Sequence, residues 1–171
     1  EIFPNIIGQN KLKELLILQY LSDKQFNVLV IGEPATGKTL FFNQILNLEG
    51  GVIKKHLDLL KNKIYETENY LMIDINSKIT NDILSKLNLN KKILIFSTFT
   101  FGRYDFYQSL CDQTNLSNDL FWSNDIFYLL LDKPIIENDQ NIIKQNINNF
   151  HKTTNLKELT NVKNKLNQIK E

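Results

Sequence analysis

The segment Gly32-Glu33-Pro34-Ala35-Thr36-Gly37-Lys38-Thr39 has residue types at spacings that could do chemistry. It satisfies every fixed position of G-x-x-x-x-G-K-[ST] and sits between an apolar run, 27–31, and a helix-like segment, 40–48. In that setting the loop aims successive backbone N–H groups at one point, and the helix N-terminus adds partial positive charge. The ligand suited to this cradle is a chain of phosphates. Gly32 and Gly37 permit the tight turn, and Glu33, Pro34, Ala35 and Thr36 carry the backbone between them. Lys38 reaches the outer phosphates and Thr39 offers a hydroxyl to Mg²⁺.

A second chemical group stands at Asp74, which ends the apolar run Tyr70-Leu71-Met72-Ile73. A carboxylate there holds Mg²⁺ through water. The expected cofactors are therefore ATP or ADP with Mg²⁺, and the expected metal ligands are Thr39 and Asp74. Hydrolysis also needs a group that activates the attacking water. Ile75 cannot accept a proton, and neither Asn76 nor Ser77 is a base. Other candidates carry no pattern. His56 and His151 lie far apart, and Cys111 sits outside any motif. Lys54-Lys55 and Lys91-Lys92 read as solvated charge, and Phe121, Trp122 and Phe127 as core or interface packing.

The elements that must position these groups alternate. Short, fully apolar runs at 27–31, 70–73, 93–96 and 126–131 read as buried parallel strands. Helical spacing is expected at 10–22, 40–48, 52–64 and 80–87, and again at 138–150 and 156–169. The fold class is α/β, a parallel sheet flanked by helices. The chain of 171 residues fits one domain, and 20 basic against 19 acidic residues exclude a polycationic tail. A single cysteine excludes a disulfide framework, and no apolar run is long enough to span a membrane. The start at Glu1, without Met or an apolar leader, suggests a trimmed chain and no signal peptide.

Several segments together resemble the motor domain of minichromosome-maintenance (MCM) helicases. Phe3-Pro4-Asn5-Ile6-Ile7-Gly8-Gln9 resembles its entry, and 27–39 its Walker A segment, with Ala35 and Gly37 where the family usually has Gly then Ala. Met72-Ile73-Asp74, with Lys78 four residues on, resembles its Walker B segment. Phe101-Gly102-Arg103-Tyr104-Asp105 resembles its Gly-Gly-Arg-Tyr-Asp signature. Residues 116–134 resemble the stretch bearing the arginine finger, and 138–151 the start of a helical lid.

The resemblance implies an AAA+ P-loop NTPase core over 1–134 and a partial helical lid over 135–171. It also implies a ring or hetero-oligomer with other MCM-type subunits, weak DNA contact and an intracellular site, the nucleus in a eukaryote and the cytoplasm otherwise. The departures imply weak or absent hydrolysis, as in a pseudoenzyme. The Walker B Glu falls on Ile75, the sensor-1 Asn on Thr98, and the arginine finger on Ser123 or Asn124. No arginine follows Arg103, so the lid has no sensor-2 arginine. Arg103 itself either pins its loop through Asp105 or a carbonyl, or reaches a neighbouring subunit. The short intervals around Asp74 leave no room for the family's DNA-pushing hairpins. The rivals are an active DNA helicase subunit completed by partners, a nucleotide-free scaffold, and a chelatase-like AAA+ subunit. Arg103-Tyr104-Asp105 and 116–134 argue against the last.

Overall fold

The computed structural model describes residues 2–4, 6–56, 62–75, 90–132, 140–142 and 144. Its elements are α1 (Asn10–Leu21), β1 (Val28–Gly32), α2 (Lys38–Leu48), β2 (Lys54–His56), β3 (Lys63–Glu66), β4 (Tyr70–Ile75), β5 (Lys92–Thr98), α3 (Asn118–Trp122) and β6 (Ile126–Leu130). The strands form one sheet in the order β2-β3-β4-β5-β1-β6. β4, β5, β1 and β6 are parallel, while β2, β3 and β4 pair antiparallel.

Side chains alternate across a strand, so each apolar run supplies two faces. Val28, Val30, Tyr70, Met72, Leu94 and Phe96 bury against Leu12 and Leu16 of α1 and Phe41, Phe42 and Ile45 of α2. Leu29, Ile31, Leu71, Ile73, Ile93 and Ile95 bury against Phe99, Leu116, Leu120 and Phe121. Burial on both sides is why these strands read as continuous apolar runs. Each fully buried side chain of this size contributes roughly 1.5–3 kcal/mol of transfer free energy.

Polar side chains staple the end of the sheet away from the phosphate loop. The buried Gln19 amide donates to the carbonyls of Phe26, at 2.9 Å, and Ile93, at 3.0 Å. The ammonium of Lys92 donates to Gln19 O, Tyr20 O and Ser22 O at 2.9, 3.1 and 2.5 Å. It meets the carbonyls that α1 leaves unpaired at its C-terminus.

Three expectations need correction. The helix expected over 52–64 is replaced by β2 and β3, with 57–61 outside the described residues. Gly50 and Gly51, at φ 82° and 107°, end α2 in a turn, and pairing with β4 then dictates extended backbone. The sheet is accordingly not all parallel, since its β2–β3 margin is antiparallel. The interval between Thr39 and Asp74 thus carries a strand pair. Lys91 and Lys92 are not simply solvated, because Lys91 pairs with Glu66 at 3.0 Å and Lys92 caps α1. Of the aromatic group, Phe121 is buried, and Trp122 stands 71 % exposed against Phe121 and Phe127.

The helix expected at 80–87, Lys78, His151 and the segment 156–169 lie outside the described residues, as does most of the lid segment 135–171. Among the described residues no helix is long and apolar enough to cross a membrane.

Candidate phosphate-binding site

β1 lies between β5 and β6, and the loop leaving it crosses the carboxyl ends of the parallel strands. Open α/β sheets bind ligands at that end. Gly32 pairs with Thr98 in the register of β1 and β5, and Asp74 lies one strand further on. A cavity of about 390 Å³ is lined there by residues 34–40, Asp74 and Thr98. Residues called from three separate stretches of sequence therefore meet in one place.

The loop is shaped as an anion cradle. The backbone N–H groups of Ala35, Thr36, Gly37, Lys38 and Thr39 donate to no described residue, while Leu40 N and Phe41 N turn back to Gly37 O to start α2. Gly37 sits at φ 87°, which permits that turn. Gly32 is required for another reason. A Cβ there would stand 2.9 Å from both Cβ and O of Leu130 and 3.0 Å from Thr36 Oγ1.

The buried Lys38 ammonium donates to Gly32 O at 2.9 Å and Glu33 O at 2.5 Å, with Thr36 Oγ1 at 3.4 Å. Burial lowers its pKa, against the pull of Asp74 and Glu33. A phosphate oxygen would replace those carbonyl partners. Asp74 is 5 % exposed, and no described donor bonds its carboxylate. Burial raises its pKa, against the opposing pull of Lys63 and then Lys38. Lys63 faces Asp74 directly across β3 and β4.

A buried carboxylate to which no described residue donates, beside the Thr39 hydroxyl at the same cavity, is a hard-oxygen set that suits Mg²⁺. Asp74 and Thr39 would hold the ion. Held there, Mg²⁺ would supply positive charge to offset that of a phosphate chain.

The catalytic side is thin. Thr98 is in place, and no described residue bonds its hydroxyl. Ile75 is buried on the opposite face of β4 with Ile73. Ser123 is exposed and its hydroxyl donates to Leu120 O at 2.8 Å. Asn124 is buried, its amide donating to Leu120 O and Phe121 O at 2.7 and 3.1 Å. Neither lines the cavity. Lys38 is the only cationic residue and Asp74 the only acidic residue among those that line it.

Arg103 does not pin its loop: its side chain is exposed and pairs with no described residue. The pin is Gln113, which the sequence did not single out. Its buried amide donates to Asp105 O, Gln108 O and Ser109 O at 2.8, 3.1 and 3.4 Å and accepts from Asp105 N at 2.6 Å. Around that knot Phe101, Phe106 and Tyr107 stand 79 %, 82 % and 97 % exposed. Glu33 has a second role, which the motif does not encode. Its carboxylate accepts from Asp132 N at 2.7 Å and Tyr104 N at 3.5 Å.

No family model matches the chain. Over 101 residues it is 29% identical to the magnesium-chelatase subunit ChlI of Euglena gracilis, a match covering 57% of this chain and 26% of that protein. The chain thus spans about a quarter of that relative, which is an AAA+ ATPase. The likeness supports a nucleotide-binding AAA+ module and goes no finer.

Proposed function

We propose that the chain is an AAA+ module that binds Mg-ATP or Mg-ADP and hydrolyses ATP weakly or not at all on its own. The observation that carries this reading is the run of five backbone amides, 35–39, that donate to no described residue, around the cavity that Lys38, Asp74 and Thr98 also line. Anion binding needs such donors held ready. Fast hydrolysis needs more, since loss of a transition-state arginine alone costs about 10³–10⁵ in rate.

Within the AAA+ class, the reading is of MCM type, a nucleotide-binding module in a ring or hetero-oligomer with other subunits of that type. It rests on 101–105 and 116–134. A chelatase-type subunit is the second reading, favoured by the match to ChlI. The test titrates a fluorescent ATP analogue with Mg²⁺ into wild type and Lys38→Ala, and follows phosphate release. Micromolar binding lost in Lys38→Ala, with slow turnover, is expected. No binding at millimolar analogue would sink the proposal, and fast turnover by the isolated chain would sink its weak-hydrolysis part. Native mass spectrometry with MCM-type or chelatase subunits separates the two readings by which set the chain joins.

A further inference from the structure

We propose that Glu33 is a positioning residue that ties nucleotide occupancy to two other segments, the aromatic loop 101–108 and the exit of β6. This rests on the nucleotide-binding reading. Glu33 belongs to the phosphate loop, yet three of its groups face outward from it. Its N–H donates to Leu130 O at 3.1 Å, and its carboxylate oxygens accept from Asp132 N at 2.7 Å and Tyr104 N at 3.5 Å. Its carbonyl oxygen faces inward, holding the Lys38 ammonium at 2.5 Å and the Thr36 hydroxyl at 2.7 Å.

One residue therefore joins the cation that meets phosphate to backbone 71 and 99 positions further along the chain. Neighbouring contacts keep the loops in register. A Cβ added at Gly102 would lie 3.9 Å from Pro34 Cγ, so the two loops are neighbours with room for about one methyl group between them. The loop being positioned is itself preformed by Gln113, so a shift at Tyr104 moves Phe101, Arg103, Phe106 and Tyr107 together.

In this proposal the amides of Tyr104 and Asp132 open by release from the Glu33 carboxylate. A ligand that fixes the phosphate loop suppresses that opening by the factor 1 + [L]/Kd, about tenfold at ten times Kd. Hydrogen exchange of the full chain, with and without Mg-ATP analogue, reads this directly. In wild type, exchange at both amides is expected to slow about tenfold at that concentration. Glu33→Gln keeps one acceptor oxygen and turns the other into a donor, so it retains the response at Asp132, the shorter bond, and loses it at Tyr104. Glu33→Ala loses it at both amides and binds analogue about tenfold more weakly, a loss of one amide-to-acceptor bond at each loop.

Unchanged exchange at Tyr104 and Asp132 in nucleotide-saturated wild type overturns the inference, whether or not Glu33→Ala folds. So does Glu33→Ala that binds and responds like wild type. A wild type that binds no analogue overturns the function reading first, and the inference with it.

Discussion

Ala35 sits at φ 62°, a left-handed backbone that costs a residue with a Cβ about 1–2 kcal/mol. Ala35→Gly removes that strain but restores unfolded-chain freedom worth about 0.4–1 kcal/mol. The net expectation is stabilisation by up to about 1 kcal/mol, a Tm rise of roughly 2–4 °C by calorimetry for a chain of this size. Asp74 carries the opposite kind of cost. Burial raises its pKa above the ordinary 3.8, so the ionised form is disfavoured in the fold. Its contribution to stability is present at low pH and is lost as pH rises through the raised value. Asp74→Asn should therefore raise Tm at neutral pH, by roughly 2–4 °C if the relief is about 1 kcal/mol. The gain should vanish below pH 3.8, where Asp74 is protonated in both states. The same variant should lose Mg²⁺ dependence of nucleotide binding, and a Tm fall at neutral pH would refute the burial argument.

Among the elements, the parallel strands were legible because burial on both faces leaves a run such as Leu71-Met72-Ile73 no polar position. The pair β2 and β3 was not legible. The apolar residues of 52–64 fall at helical spacing, and strands of three and four residues are defined by their partner more than by their own sequence. Lys38 and Asp74 could be found because a loop motif and the end of an apolar run mark them, and Thr98 because the family resemblance puts sensor 1 there. Gln113 and the outward bonds of Glu33 could not, because what they bond is set by the fold and not by spacing. Gln113 gives the loop 99–116 its form. Gln113→Ala would strand Asp105 N and three carbonyls, at a cost of about 1–3 kcal/mol. The expected signature is limited proteolysis beside Phe106 and Tyr107 in the variant but not in wild type. Equal resistance of both would show that other contacts suffice.

On the scale of the whole molecule, charge is the informative quantity. The chain has one arginine, Arg103, and 19 lysines. Three of its described lysines are spent on structure: Lys92 on α1, Lys91 on Glu66, and Lys38 on its own loop. The arginine is exposed on the loop next to the cradle rather than in the cavity. A molecule so arranged is equipped to hold phosphates but brings little cationic charge of its own to a transition state.

The crowding at Gly32 has a consequence for selection. Any Cβ there would press on Leu130 and Thr36 whether or not a ligand ever binds. A lineage that abandoned nucleotides would still be compelled to keep that glycine. Gly37 has open space around it, and only its φ of 87° resists replacement. Mutational drift after loss of a ligand would therefore erode Gly37 and Lys38 well before Gly32. The first glycine of the motif is a witness to how β1 and β6 pack, and the second, together with Lys38, is the better witness to use.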